Sequence, residues 1–564
     1  MKRFAHLLLA GLFALQSYSQ STDKLILDMV HHNPGEAFTE SVFNDPVVLS
    51  NYGFNGQVIN EFKPPHCAVT YDEISKDIFP AGSEERKWAD ALAERINEQI
   101  EKIHAQGLKA YYFMDIILFP KRLVDVYKEE LCSADGKIDW DKPRTKEFHR
   151  IMIKELFERF PYIDGLVVRT GENYRQNIPY HQGNELVNNS HKDEAIRKHA
   201  ELVQMLREEV CVKRNKTVVY RTWDYAWNAE RGFLHTQPDY YLGVTDSIEP
   251  HENLFFAIKH TAGDYFRTFP FNKTIGIGRH RQMIEVQCQR EYEGKGSYAN
   301  YIADAVVNGF EEYAKESGRP NCLNDFKHSP LYAGIWTWSR GGGWGGPYLK
   351  SEFWCEANAY VLSHWGNAPE RSEKELFLQF ARMKGFDKKS AGLLHQIALL
   401  SSKAVLRGRA SNIITMTQHQ LEWTRDDNMR GLNNLKELFD EVIRKKETGR
   451  VLAEKRESVK QWERMKKISA RLVGNNADEV EAVRASVEYG RLFFTLTYYG
   501  WAIMLKGQEA ELSGMKKEKG GELQKMCTAY ERTKEKWKHF CATNSWAATI
   551  YKVEELDESV NKYR

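Results

Sequence analysis

Eight short apolar segments alternate with polar, helix-forming segments between residues 24 and 341, and this alternation constrains the fold more than any other feature. Each segment is predicted to be a buried strand, and together they cover residues 25–30, 56–59, 109–117, 165–168, 218–221, 254–258, 284–288 and 333–336. Helices are predicted between several of them, at 88–105, 148–160 and 194–211. Eight strands with alternating helices are typical of a (β/α)8 TIM barrel.

An open, doubly wound parallel sheet is the alternative α/β fold. The first strand is not followed by a GxGxxG turn, so a dinucleotide-binding fold has little support. The formal net charge of +2 over 564 residues gives no general field that would attract nucleic acid or an acidic membrane surface. Binding partners must therefore be inferred from individual sites, and we expect no nucleic acid among them.

The composition changes near residue 366, beyond which long charged amphipathic helices predominate. They are predicted at 373–384, 393–407, 433–446, 453–472, 480–505 and 522–540. The alternating Lys and Glu residues on these helices are typical of solvated faces. We therefore predict a catalytic barrel at 22–365 and an all-α C-terminal domain at 366–564.

The first 20 residues have the pattern of a cleaved secretory signal peptide. Lys2 and Arg3 precede an apolar stretch, and small residues follow at Ser17 and Ser19. No later stretch approaches 18 apolar residues, so no membrane insertion is expected. We predict a periplasmic or secreted protein. The eight cysteines lack CxxC or CxxH spacing, which makes a zinc site improbable and leaves one or two disulfides open.

Charged and aromatic residues follow the predicted strands, at the edge where barrel enzymes carry their chemistry. They include His31, Asn60, Asp115, Arg169, Glu172, Arg221, Trp223, Asp224, Tyr225, Lys259, His260, Asp264, Glu291, Trp336, Trp338 and Arg340. Paired carboxylates suit glycoside hydrolysis, and Trp and Tyr rings can stack on a sugar. The cations Arg169, Arg221 and Lys259 are more than a neutral sugar needs, which favours a substrate that carries a carboxylate.

A metal is not expected, because the histidines lack an i, i+4 pair with a carboxylate on one helix, and no cofactor is indicated. No GxSxG elbow supports a serine hydrolase. Salt bridges that stabilise the barrel mouth are the structural alternative for these charges. The residues expected to line a sugar site are Trp223, Tyr225, His181, Trp336 and Trp344.

Five segments in the same order resemble the α-glucuronidases of glycoside hydrolase family 67. They are DGLVVRTGENY at 164–174, VVYR at 218–221, LFFAIKHTAGD at 254–264, IEVQCQREYEGKG at 284–296 and the Trp- and Gly-rich segment at 334–360. The resemblance covers about residues 52–382. Family members carry an additional N-terminal domain before the barrel, whereas few residues here separate the predicted signal peptide from the first strand.

The resemblance implies an exo-acting, inverting enzyme that releases α-linked glucuronic acid or its 4-O-methyl ether from an oligosaccharide. Glu172 would be the general acid, and the base would be Asp264 or Glu291. Arg221 and Lys259, with Arg169, would hold the uronate carboxylate. Inversion implies that acid and base stand roughly 6.5–9.5 Å apart, and no metal is needed.

Two alternatives stay open. The loop after Glu172 differs from that of the family, so the sugar could be a different acidic or a neutral one. The chain could also be a carbohydrate-binding barrel without turnover, although all three carboxylates are present.

Overall fold

The structure is a computed structural model that describes residues 24–31, 40–61, 63–172, 178–187, 190–224, 232–267, 269–313, 317–341, 345–411, 413, 424, 427–514 and 521–564. The predicted signal peptide and the predicted site residues Tyr225 and Trp344 lie outside this part of the chain.

Eight parallel strands close into a barrel, which confirms the predicted fold class. They are β1 (Leu25–His31), β2 (Gly56–Ile59), β3 (Lys109–Asp115), β5 (Gly165–Arg169), β7 (Thr217–Arg221), β8 (Leu254–Lys259), β9 (Arg281–Gln287) and β10 (Tyr332–Gly341). Neighbours follow this order around the ring, and β1 pairs with β10 to close it. All eight predicted strands are present. Two further short strands, β4 (Leu118–Pro120) and β6 (His181–Gly183), form an antiparallel pair that was not predicted.

Both faces of the barrel strands are buried, which explains their continuous apolar sequences. Alternate residues point into the barrel, where Leu27, Phe113, Val167 and Trp336 belong to one packed cluster. The residues between them, such as Ile26, face the surrounding helices in a second, larger cluster. The barrel interior is therefore a filled core, and only its ends are available for a site.

Helices alternate with the barrel strands and then continue without strands to the C-terminus. Those up to β10 are α1 (Pro46–Asn51), α2 (Glu84–His104), α3 (Lys121–Val126), α4 (Lys128–Leu131), α5 (Pro143–Arg159), α6 (Lys192–Leu206), α7 (Pro238–Thr245), α8 (Ala303–Asn308) and α9 (Leu323–Phe326). Single 3-10 turns lie at Val42–Asn44, Pro65–Ala68 and Glu291–Glu293. The helix predicted at 194–211 is α-helical only to Leu206 and continues as a π-helical turn, Arg207–Val212.

The region after β10 is helical, as predicted. Its helices are α10 (Phe353–Asn367), α11 (Glu373–Met383), α12 (Lys388–Arg409), α13 (Leu432–Arg444), α14 (Thr448–Ser469), α15 (Ala477–Leu512), α16 (Glu522–Thr543) and α17 (Glu554–Asn561). Helix α10 packs directly on the barrel, because Gly366 has no side chain to separate it from Ile26 and Ile335. The predicted domain boundary at 365/366 stays a prediction.

The described part of the chain contains neither a membrane-spanning helix nor a disulfide. None of its helices is both long and apolar enough to cross a membrane. None of the eight cysteines takes part in a disulfide, and seven of them are buried, so the disulfides left open by the sequence do not form.

Candidate active site at the barrel mouth

Each barrel strand contributes a buried polar side chain to the rim at its C-terminal end. In chain order these residues are His31, Asn60, Asp115, Arg169, Arg221, Lys259, Gln287 and Arg340. Because all eight strands are parallel, their C-terminal ends meet at one mouth. All of these residues except Gln287 were predicted from the strand ends, and the structure gathers them at one place.

Glu172 lies three residues beyond the end of β5 in a backbone conformation that is unusual for its residue type. Its φ angle of 53° is in the left-handed region, where a residue with a Cβ atom is strained by about 1 kcal/mol. The indole Nε1 of Trp223, which follows β7, donates a hydrogen bond to Glu172 Oε2 over 2.8 Å. Among the described residues, Glu172 Oε1 has no hydrogen-bond partner. The carboxyl group is thus fixed through one oxygen.

Lys259 connects Trp223 to Asp264. Its Nζ atom lies 3.4 Å from the centroid of the Trp223 ring and 2.6 Å from Asp264 Oδ1. Burial lowers the pKa of Lys259 below its ordinary value, while the nearby Asp264 carboxylate opposes that shift. Three contacts in series therefore join Glu172, Trp223, Lys259 and Asp264 at the mouth.

A hydrogen bond and a ring stack join the loops after β8 and β9, close to Lys259 and Asp264. The Tyr292 hydroxyl donates a hydrogen bond to Asp264 Oδ2, and the Tyr292 ring stacks on Phe266 with centroids 3.6 Å apart. Glu291 precedes Tyr292, and its backbone N–H donates to Gln287 Oε1 over 2.9 Å. Asp264 and Glu291, the two predicted candidates for the base, thus lie on two loops that contact each other directly.

A buried ionic cluster lies under the same two loops. Both oxygens of Glu293 accept hydrogen bonds from Arg267, and Arg290 Nη2 donates to Glu293 Oε1 over 2.9 Å. Burial by itself would raise the pKa of Glu293, but the two arginines hold it well below its ordinary value. Arg290 was among the residues predicted at the strand ends, but Arg267 and Glu293 were not, because nothing in the sequence spacing shows that the two loops meet.

Two of the predicted substrate-binding arginines form buried ion pairs. Arg169 donates to both oxygens of Asp115 over 2.5 and 2.8 Å, and Arg221 Nε lies 3.0 Å from both oxygens of Glu285. With Lys259 paired to Asp264, each of the three cations has a carboxylate partner. This pairing removes the surplus of positive charge on which the sequence argument for an acidic substrate relied.

Arg221 keeps one donor for another group. Its Nη2 atom is buried and has no hydrogen-bond partner among the described residues. The guanidinium carbon lies 4.7 Å from the centroid of the Trp338 ring, so the positive charge of Arg221 packs against this aromatic ring. Glu285, its ion-pair partner, was missed by sequence reasoning, although a glutamate within an apolar strand segment is a usable signal of a buried ion pair.

The remaining predicted residues are placed differently. Trp336 is fully buried one inward position below Trp338, so it supports the mouth from beneath. His181 lies in β6 and packs against Phe79 and Trp88, and burial lowers its pKa to about 4. Its described ring contacts involve none of the other predicted site residues.

No group of three or more His, Cys, Asp or Glu side chains in the described chain has the arrangement of a metal site. The described side chains in contact at the mouth include carboxylates, cations and aromatic rings. Such a set can donate and accept protons and hold a polar ligand.

Comparison with known proteins gives a similarity of fold. A solved structure described as a "GH138 enzyme targeting pectin rhamnogalacturonan II" aligns with a TM-score of 0.55 at 12% identity, and the alignment covers 94% of this chain and 63% of that one. The chain thus spans less than two thirds of that enzyme's length. No family model and no curated protein matches the sequence.

Two other solved structures align less well. A mutant O-GlcNAc hydrolase of Thermobaculum terrenum has a TM-score of 0.37 at 9% identity, covering 96% of this chain and 94% of that one. The chitobiase of Flavobacterium johnsoniae has a TM-score of 0.33 at 11% identity, covering 95% and 78%. Because no family model matches the sequence, the resemblance to family 67 stays a prediction.

Proposed function

We propose that the protein is a glycoside hydrolase whose active site is the barrel mouth around Glu172 and Asp264. The observation that carries this proposal is the series of contacts from Glu172 through Trp223 and Lys259 to Asp264. It brings two carboxyl groups, a cation and an indole ring together at the end of the barrel where such enzymes work. The fold similarity to a GH138 enzyme agrees with it.

The two carboxyl groups have different surroundings, as acid and base require. Glu172 accepts one hydrogen bond, from a neutral donor, and its Oε1 atom can carry the proton that goes to the leaving oxygen. Asp264 is paired with Lys259 and accepts a hydrogen bond from Tyr292. Those contacts favour its ionised form. We assign proton donation to Glu172 and activation of water to Asp264, with Glu291 as the alternative base.

We propose a uronic acid as the sugar that is released, with glucuronic acid or its 4-O-methyl ether as the first candidates. The buried Nη2 of Arg221 supports this choice, because it is a cationic donor without a partner among the described residues. A carboxylate is the ligand that a buried guanidinium donor holds most strongly. Lys259 could contribute by sharing its charge between Asp264 and the substrate.

A neutral sugar is the second candidate, and one observation favours it. Arg169, Arg221 and Lys259 already have the carboxylate partners Asp115, Glu285 and Asp264. A site whose charges are matched internally does not need an anionic substrate to balance them.

A substrate panel separates these candidates. The purified protein is incubated with aldobiouronic and aldotetraouronic acids, with neutral xylo-oligosaccharides and with aryl glycosides of neutral sugars, and products are separated by anion-exchange chromatography. Free uronic acid supports the first candidate. Release of neutral sugar alone supports the second. Calorimetric binding without any product after long incubation would contradict both and favour a carbohydrate-binding barrel.

We further propose that the protein is exported, on the basis of the signal-peptide pattern at residues 1–20. Expression of the full chain with fractionation of the cells tests this proposal. N-terminal sequencing of the exported protein should begin near Ser19 to Ser21, whereas an intact Met1 on cytoplasmic protein would contradict it.

A further inference from the structure

A cavity of about 640 Å³ lies beside the barrel mouth, where the segment after β10 meets the C-terminal helices. We call it the β10 cavity. It is lined by Gln289, Lys295 and Arg340 on the barrel side, and by Tyr348, Glu479 and Trp546 on the other sides. Its volume is within the range of roughly 300–1,000 Å³ that small-molecule sites occupy.

The β10 cavity borders the candidate active site, because Arg340 belongs both to the rim of the mouth and to the lining of the cavity. Arg340, at the end of β10, donates from Nη1 to Gln289 Oε1 over 2.9 Å. Gln289 stands two residues before Glu291 in the loop after β9. On the same strand as Arg340, Trp338 stacks on His31 with ring centroids 4.7 Å apart. A ligand that extends from the mouth on the β9 and β10 side would therefore enter this cavity.

Two of the cations that line the cavity, Arg340 and Lys384, are held in fixed pairs with glutamates. Arg340 Nε lies 2.6 Å from Glu352 Oε1, and Lys384 Nζ lies 2.6 Å from Glu356 and 2.9 Å from Glu479. Such groups offer both hydrogen-bond donors and acceptors, and because their charges are paired they do not require a charged ligand. A neutral ligand rich in hydroxyl groups, which also donate and accept, has the matching chemistry.

Aromatic side chains complete the lining. Tyr348 is 49% exposed, and Trp546 is half-buried on the other wall. The two walls are fastened by paired hydrogen bonds, from Tyr348 N to Thr549 Oγ1 over 2.8 Å and from Thr549 N to Tyr348 O over 3.0 Å. Exposed rings on a fixed wall are surfaces on which the apolar face of a sugar can stack.

We propose that the β10 cavity binds the neutral sugars on the leaving-group side of an oligosaccharide substrate. This inference rests on the proposed function, because an exo-acting site places the terminal sugar at Glu172 and the rest of the chain outside it. The helical region then takes part in substrate selection, with long substrates gaining contacts that short ones lack.

The test compares a short substrate, aldobiouronic acid, with a long one, aldotetraouronic acid. For each variant the quantity is the ratio of kcat/KM for the long substrate to kcat/KM for the short one. Trp546→Ala and Tyr348→Ala should each lower this ratio about fivefold through loss of sugar stacking. Tyr162→Ala, which removes a ring that is 68% exposed elsewhere on the surface, is the matched control and should leave the ratio unchanged.

Calorimetry with the Glu172→Gln variant provides a readout that does not need turnover. The long substrate should bind more tightly than the short one, and adding Trp546→Ala should remove the difference. Hydrolysis that depends neither on length nor on Trp546 would overturn the cavity proposal and leave the proposed function standing. A third outcome is that the long substrate binds more tightly, that Trp546→Ala removes this difference, and that the native protein hydrolyses neither substrate. This outcome would support sugar binding in the β10 cavity and overturn the enzymatic proposal. Absence of both binding and hydrolysis would overturn both.

Discussion

Glu293 is the centre of the ionic cluster that fastens the loops after β8 and β9, and replacing it by glutamine tests that cluster. Its side chain is 4% exposed and accepts hydrogen bonds from Arg267, from Arg290 over 2.9 Å and from Asn300 over 2.8 Å. The change Glu293→Gln keeps the shape of the side chain. It removes the negative charge and turns an N–H group toward buried arginines.

The expected loss is about 3 kcal/mol in the free energy of unfolding at pH 7. Removing one partner of a buried ion pair costs roughly 3–5 kcal/mol, because the other charge stays buried without compensation. Here Glu312 still lies 3.3 Å from Arg267, which places the expected value at the lower end of that range.

The effect should also depend on pH, with a defined sign. The two arginines hold the pKa of Glu293 below the ordinary value of 4.5 against the opposing effect of burial. A carboxyl group with a depressed folded-state pKa contributes stability that is complete above its unfolded pKa and is lost as the pH falls. The difference between the native protein and Glu293→Gln should therefore be largest at pH 7 and shrink below pH 4.5.

The assay is guanidinium unfolding at pH 7 and pH 3.5, followed by tryptophan fluorescence. The control is Glu481→Gln, which breaks a surface ion pair with Arg484 at 2.6 Å in which the Glu481 side chain is 51% exposed. An exposed pair contributes about 0–1 kcal/mol. Destabilisation by Glu293→Gln that is no larger than that by Glu481→Gln at pH 7, or that is equal at both pH values, would contradict a stabilising role of the cluster.

Three further predictions concern Trp223 and Asp115 at the mouth and Asp28 on β1. Trp223→Phe removes the hydrogen bond to Glu172 and should lower kcat about tenfold in steady-state kinetics, with KM changed less. Asp115→Asn leaves buried Arg169 without its bidentate partner and should cost about 3 kcal/mol in denaturant unfolding. Burial raises the pKa of Asp28 to about 7. The stability contributed by its protonated form is complete below about pH 4 and is lost as the pH rises through 7. The melting temperature of the native protein should therefore decline between pH 5 and 8, and Asp28→Asn should abolish that decline. An unchanged kcat, an unchanged stability or an unchanged pH profile would contradict the respective prediction.

The barrel could be predicted from the sequence because both faces of its strands are buried. A run such as Leu254–Lys259 is apolar over most of its length, and the spacing of such runs indicates the topology. The C-terminal half of β10 was missed because Thr337 and Ser339 are polar. They continue the strand because their hydroxyls donate hydrogen bonds to buried Asp28 over 2.6 and 2.7 Å.

The pairing of the charges at the mouth could not be predicted, because it depends on how the strands align. Arg221 stands opposite Ala257 on β8. The small side chain of Ala257 leaves room for the arginine to reach Glu285 on β9. Neither this register nor the contact of Lys259 with Trp223 follows from sequence spacing. The residues of the candidate site could thus be predicted as a set. Only the structure shows which of their charged side chains form ion pairs with each other and which can contact a substrate.

The proposed activity depends on Glu172, which donates the proton for cleavage of a glycosidic bond at the barrel mouth. The most direct measurement is the rate of sugar release by the native protein, by Glu172→Gln and by Glu158→Gln, a control at an exposed helical glutamate. We expect release by the native protein and by the control, and a loss of at least about a hundredfold for Glu172→Gln. Sugar release that is unaffected by Glu172→Gln would contradict this role of Glu172.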